Sequence, residues 1–271
     1  MDISYILEAV QEAGNFAKKS FTEGICQSSE SACKEVMEKS LNELVLKEDL
    51  VCEEIIISKI KQHHPNAIIY SEESSDISKL KNDRSEIKYL IDPLDGTHNY
   101  FFGLPMWGIC VAVLNSENIS IASVIYLPMM DLLLKCEGID DHSYVLHDNT
   151  WDRIYTESRP IDRSLVCYDN QFYKLGEQAI KIYDRISRQC FTTRITGSAV
   201  CDAALIATGK TNARIWNKTN AYDVAAGMLI VKGAGGNFCD FSGKNITSLS
   251  EQVIMCSDLK LKDQLIAVSY T

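Results

Sequence analysis

No stretch of this chain approaches the roughly 18 consecutive apolar residues that a membrane-spanning helix needs, which excludes that class. The start, Met1-Asp2-Ile3-Ser4-Tyr5, lacks the basic-then-apolar layout of a secretion signal, so a cytoplasmic protein with no membrane partner is expected. The 10 cysteines stand singly, with no C-x-x-C pair, which argues against a zinc knuckle or a redox pair. They are expected to be reduced, mostly buried thiols. Basic charge is short as well: 27 Lys and Arg face 37 Asp and Glu, a net charge of −10. Without a basic face, direct nucleic-acid binding is not expected. A phosphorylated small molecule remains a possible ligand, because a bound cation reverses the local field. Internal repeats and low-complexity tracts are absent too. What remains is an ordinary globular composition, 46% hydrophobic and 24% charged over 271 residues, enough for one large domain or two sharing an interface.

Ile3, Ile6, Leu7, Val10, Ala13 and Ala17 form a helical stripe. Thr22–Lys39 is polar and reads as a loop. A second helix is predicted over Asp49–His63, stopped by His64-Pro65-Asn66, with the His63-His64 pair as its solvated end. A short strand, Ala67–Tyr70, leads into Ser71-Glu72-Glu73-Ser74. From Ile87 to Leu146 short β runs follow one another (89–91, 107–114, 119–126, 132–136 and 143–146), which favours an antiparallel sheet. Beyond Asp148 strands and helices alternate, as in an α/β half. Residues 1–147 and 148–271 are therefore expected to form two halves.

The densest chemistry lies in Asp92-Pro93-Leu94-Asp95-Gly96-Thr97-His98-Asn99-Tyr100. Pro93 fixes its own φ and pushes Asp92 toward extended geometry, while Gly96 permits a sharp change of direction. Two carboxylates three residues apart repel unless a positive charge sits between them, and a hard divalent cation takes oxygen ligands. A plain surface turn is the competing reading. Glu72 after one strand and Asp223 at the start of Tyr222-Asp223-Val224-Ala225-Ala226-Gly227 could project into the same crevice, although Asp223 also suits a helix N-cap.

These segments together resemble the inositol monophosphatase family of Mg²⁺-dependent, lithium-sensitive phosphatases. Asp92–Tyr100 fits its D-P-[IL]-D-G-T-x-N-[FY] pattern, and Ser71-Glu72-Glu73-Ser74 stands for G-E-E-S. Gly197-Ser198-Ala199, Asp223–Gly227 and Gly233-Ala234-Gly235-Gly236 follow in order. The resemblance implies a layered αβαβα sandwich of the sugar-phosphatase type, α+β or α/β in class, with an antiparallel N-terminal sheet and a mixed C-terminal one. It implies two or three Mg²⁺ ions held by Glu72, Asp92, Asp95, Asp223 and the Leu94 carbonyl. It further implies Asp49 and Thr97 as the residues that orient and deprotonate water, with Glu72 acting through its metal. Gly96 and Thr97 would seat the phosphate, and Gly197, Ser198, Ala199 and Asp223 would meet the rest of the substrate. The implied activity is hydrolysis of a small phosphorylated polyol or sugar. Fructose bisphosphatase or 3′(2′),5′-bisphosphate nucleotidase activity are alternatives, as is a main role in binding transcription or RNA-processing machinery. A homodimer is implied as well.

Three departures matter. The family's V-T-x-x-D is Val45-Leu46-Lys47-Glu48-Asp49, so the capping Thr is missing and Glu48 rivals Asp49 in register. Tyr222 stands where Trp is usual. Seven residues before Asp223, where inositol monophosphatases place a Glu, this chain has Trp216, whose indole donates but cannot accept. Trp216 could stack on a base or sugar, or belong to the core. Arg214 and Lys218 could meet a second phosphate or be solvated surface charges. Inositol specificity is thereby put in question.

Overall fold

The computed structural model describes residues 1–26, 36–40, 43–169 and 171–269. It begins with helix α1 (Ser4–Cys26), a strand pair β1 (Val36–Ser40) and β2 (Glu43–Leu46), and helix α2 (Lys47–His63). Of the loop expected over Thr22–Lys39, the first residues therefore extend α1 and the last form β1; residues 27–35 lie outside the described residues. The expected stripe on α1 is the buried one, with Ile3, Ile6, Val10, Ala13 and Ala17 all within 2% of full burial.

Strands β3 (Ile68–Ser71), β4 (Lys88–Asp95), β5 (Gly108–Leu114), β6 (Ser120–Leu127), β7 (Leu132–Cys136), β8 (Ser143–His147) and β9 (Thr150–Arg153) make one seven-stranded sheet in sequence order. The pairing is antiparallel except between β3 and β4, which run parallel, so this sheet is mixed rather than wholly antiparallel. The sequence reading missed β9. Asp148 and Asn149, both at positive φ (47° and 62°), form the two-residue turn that folds it onto β8.

The remainder supplies β10 (Leu165–Tyr168), α4 (Phe172–Gln189), β11 (Thr192–Arg194), α5 (Ala199–Ala207), β12 (Ala213–Trp216), α6 (Ala221–Gly233), β13 (Asn237–Cys239), β14 (Val253–Cys256) and α7 (Leu259–Ser269). Its five strands form a second mixed sheet in the order β11-β10-β12-β14-β13.

Alternation along the strands sorts the core into layers. On β4 and β5, Tyr89, Ile91, Val111 and Val113 face α1 and α2, while Leu90, Cys110 and Ala112 face α5 and α6. On β12, Ala213 and Ile215 face the cluster that includes residues of α4 and α7, and Trp216 faces the α5–α6 cluster. The stacking is therefore α1/α2, seven-stranded sheet, α5/α6, five-stranded sheet, α4/α7: the αβαβα sandwich. The two helices of the middle layer pack closely against each other. A Cβ on Gly227 of α6 would lie 2.6 Å from the Ala203 Cβ of α5. Cys52, Cys110, Cys136, Cys167, Cys190, Cys201, Cys239 and Cys256 are free thiols, and all of these but Cys190 are buried. No described helix is long and apolar enough to cross a membrane.

One irregularity positions the chemistry. Asp92 pairs with Cys110 and Asp95 with Gly108, so Pro93 and Leu94 together oppose the single residue Ile109. Two residues against one is a β-bulge. Residues three apart on a regular strand point to opposite faces; the extra residue cancels that offset and turns both carboxylates the same way. Pro93 suits the bulge because it has no N–H to offer the ladder. The motif read from sequence as a turn is thus the bulged end of a buried strand.

Candidate active site

At the end of β4 the chain enters Gly96 at φ 88°, ψ 34°, and then a one-turn helix, α3 (Thr97–Phe101). A side chain at Gly96 would meet the Met106 carbonyl at 2.8 Å, so both the left-handed conformation and the space demand glycine. The segment forms part of the wall of a cleft of about 660 Å³, together with Glu72, Asp92, Leu94, Asp95, Gly197 and Asp223. Carboxylate oxygens of Asp92, Asp95 and Asp223 all lie within 4.8 Å of one another. Asp92 and Asp95 are buried and Asp223 is partly exposed. The end of β4 and the first turn of α6 therefore converge here. Glu72, whose amide donates to Ile91 O (3.2 Å), shares the cleft but falls outside that tight group.

Each carboxylate has a distinct support. Asp92 accepts from the Leu94 amide across the bulge (3.2 Å). Asp223, at the third position of α6, accepts from the Asn220 amide (3.0 Å) and the Thr219 hydroxyl (2.9 Å), the half of a capping box that a carboxylate supplies. Metal-facing and capping readings of Asp223 are thus compatible in one side chain. Asp95 accepts from the Ser198 hydroxyl and from the Ala199 and Val200 amides (3.2 and 3.0 Å), so it caps the N-terminus of α5. Ser198 and Ala199 are buried and turned to Asp95, while Gly197 (φ 77°) reaches the cleft wall.

Asp49 lies in the first turn of α2, fully buried. Its Oδ2 accepts from the Leu46 amide (2.7 Å), the half of a capping box that a carboxylate at the third helical position supplies, while Leu46 has no oxygen for the other half. The Thr97 hydroxyl lies 3.2 Å from Asp49 Oδ1 and 3.1 Å from the Leu94 carbonyl and can donate to either. The rival Glu48 instead accepts from Ser20 on α1 (2.5 Å). Trp216 is 3% exposed, packed in the core cluster shared with α5 and α6, and does not line the cleft. Arg214 is neither a surface charge nor a cleft residue: it is buried and paired with Asp202. His63 and His64 end α2 in solvent, with both rings against Tyr5.

Asn99 is a residue whose part the sequence reading did not see. Its Nδ2 donates to Met106 O (2.6 Å) and Thr196 O (2.8 Å), tying α3 to the start of β5 and to the turn before α5. Its place inside the motif, one residue past His98, was the available signal.

The electrostatics follow from the crowding. Burial first, and then the Glu72, Asp95 and Asp223 charges, push Asp92 well above the usual carboxylate range. Burial and the Asp223 charge push Asp95 up to about 6 despite its hydrogen bonds. Burial raises Asp223, and it raises Asp49 to about 7. Such a set of oxygen ligands with no cationic side chain among them fits a hard divalent ion, which takes oxygen donors and offsets their repulsion.

A pH dependence follows, with a definite sign. Each of these groups holds its proton in the folded chain at a pH where the unfolded chain has released it. In chelator, stability therefore falls as pH rises from about 4 toward 7, the range in which Asp95 (raised to about 6) and Asp49 (raised to about 7) give up protons that the unfolded chain has already released. Thermal melts in EDTA should give a lower Tm at about pH 7.5 than at about pH 5, with Mg²⁺ narrowing the gap. A Tm in EDTA that climbs steadily over that range would show that the cluster is not strained.

Fold and site together define a class: a layered α/β protein with an acidic cleft where the end of β4 meets the start of α6. The profile of the inositol monophosphatase family matches residues 3–271, and the chain belongs to that family. It is 28% identical over 276 aligned positions to Nus factor SuhB of Escherichia coli K12, covering 97% of this chain and 96% of the relative. It is 27% identical over 226 positions to fructose-1,6-bisphosphatase/inositol-1-monophosphatase of Thermotoga maritima, covering 83% and 82%. The crystal structure of extragenic suppressor protein suhB from Bartonella henselae superposes with a TM-score of 0.86 at 22% identity, over 98% of this chain and 97% of that one, and shows the same fold.

Proposed function

We propose that this protein is a Mg²⁺-dependent phosphomonoesterase acting on a small phosphorylated polyol or sugar. The observation that carries the reading is the convergence of Asp92, Asp95 and Asp223 within 4.8 Å at a cleft that also holds Glu72, Gly96 and Thr97. Those four carboxylates, with the Leu94 carbonyl, would hold the cation. Mg²⁺ bound there supplies a Lewis acid that acidifies water and neutralises phosphoryl charge. The chain's own groups do the rest. Thr97 Oγ1 orients the attacking water and relays its proton to Asp49, whose elevated pKa near 7 suits a base working near neutrality. The Gly96–Thr97 backbone, which lines the cleft at the start of α3, seats the phosphate oxygens. Gly197 borders the leaving group. Lys174 also lines the cleft, and its charge favours an anionic substrate.

The test is Mg²⁺-dependent phosphate release across inositol phosphates, sugar phosphates, fructose bisphosphate and 3′-phosphorylated nucleotides. Turnover of at least one is expected. Folded protein that releases phosphate from none overturns the reading. It would favour the second one, suggested by the name Nus factor carried by the Escherichia coli relative: a protein whose main role is to bind transcription machinery. Retention of all four carboxylates favours the enzyme.

A further inference from the structure

Asp202 of α5 and Arg214 of β12 form a buried ion pair between the middle layer and the five-stranded sheet. Arg214 Nη1 donates to Asp202 Oδ2, and their side chains are only 4% and 0% exposed. The guanidinium carbon lies 4.9 Å from the centroid of the Trp216 ring, two residues along the same face of β12. Stability alone does not account for such a pair, since apolar residues of similar volume stabilise a core as well or better. Its place in the fold offers another account. Asp202 sits in the first turn of α5, four residues after Ser198, and its amide donates to the Ser198 carbonyl (3.3 Å). Ser198 is also the residue whose hydroxyl donates to Asp95. Contacts therefore run without interruption from the Trp216 ring through Arg214, Asp202 and Ser198 to a carboxylate of the cleft.

Three donors of α5 converge on Asp95, which needs the first turn of that helix held to a fraction of an ångström. Apolar packing of a short helix rich in small residues fixes its depth better than its rotation or slide. A directional, charged contact to the neighbouring strand fixes those as well. We propose that the Asp202–Arg214 pair is a positioning device, which locks the first turn of α5 to β12 so that Ser198, Ala199 and Val200 orient Asp95 for the cation. The inference rests on the reading of the cleft as a cation site. It also gives Trp216 a part, as the ring on which the guanidinium lies.

The experiment is Mg²⁺ titration calorimetry on the whole protein. The double variant Asp202→Asn/Arg214→Met is neutral at both positions and leaves no buried charge uncompensated, so the fold is kept. It should bind Mg²⁺ roughly 10-fold more weakly, the low end of the range for losing an outer partner of a metal ligand, because Ser198, Ala199 and Val200 stay in place but lose their alignment on Asp95. Arg214→Lys, which keeps the charge, should restore part of the loss. Ile215→Ala, on the same strand but facing the other layer, should lower Tm without weakening Mg²⁺. A double variant within twofold of wild type overturns the proposal, as does Ile215→Ala with an equal loss of affinity. A wild-type protein that binds no Mg²⁺ overturns the cation site itself and this inference with it, an outcome distinct from either of those.

Discussion

Asp92→Asn should abolish Mg²⁺-dependent phosphate release while leaving the metal-free protein as stable as wild type or more so. Asp92 is almost fully buried and faces the Glu72, Asp95, Asp223 and Asp49 charges, so removing its charge relieves repulsion in the empty cleft. The amide is isosteric, and its oxygen can still accept from Leu94. The cation loses a central ligand, and with it several kcal/mol of transition-state stabilisation, or at least ~10³-fold in rate. Melting curves separate the two effects. Mg²⁺ at a hundred times its Kd stabilises wild type by about 2.7 kcal/mol, a rise of roughly 5–10 °C for a chain of this size. The variant should show no such rise. Turnover near the wild-type rate, or a Mg²⁺-dependent shift of wild-type size, would remove Asp92 from the cation site.

Asn99→Ala carries the second large effect, this time on the fold. Nδ2 of Asn99 is the shared donor to two carbonyls, Met106 O and Thr196 O, that come from opposite halves of the chain. Truncation leaves both part-buried carbonyls without that donor, at a cost of about 3 kcal/mol, or roughly 6–12 °C in Tm. Asn99→Asp should be worse at neutral pH despite its matching shape, because a carboxylate would face two carbonyl oxygens. A melt of Asn99→Ala within about 2 °C of wild type would show that the turn before α5 is held by other means. Activity should fall alongside stability, since that turn delivers Gly197 to the cleft and Ser198 to Asp95.

The helices and most strands were legible because hydrophobic period and turn residues report local structure directly. The carboxylates were legible as candidates because acidic residues at strand ends and helix starts are conspicuous. Less legible was how they come to face one way. The bulge at Pro93-Leu94 exists only against β5, and no property of Asp92–Tyr100 alone distinguishes it from a turn. Asp95 as the cap of α5, more than a hundred residues away, was invisible for the same reason. Arg214 was misread because charge usually signals solvent, and its partner Asp202 lies on a different element. Strands β9 and β13 were not legible because four and three residues are too few to show a period, and Asp148-Asn149 marks only the turn that leads into β9.

The central helices also constrain how the chain can fold. Every residue of α6 except Asp223 and Lys232 is buried, and α6 exposes no polar face on which it could stand alone in water. It must dock on a sheet made much earlier in the chain, as the Ser120 hydroxyl bond to Ala225 O and the Ser143 hydroxyl bond to Ile230 O record. Contacts this distant in sequence form slowly, and until they do the inner face of the first sheet stays open to other chains. During synthesis that face is complete well before its cover has been made. The same late docking brings Asp223 to Asp92 and Asp95, so the acidic cluster, with its mutual repulsion, is assembled only after apolar burial has begun to offset it.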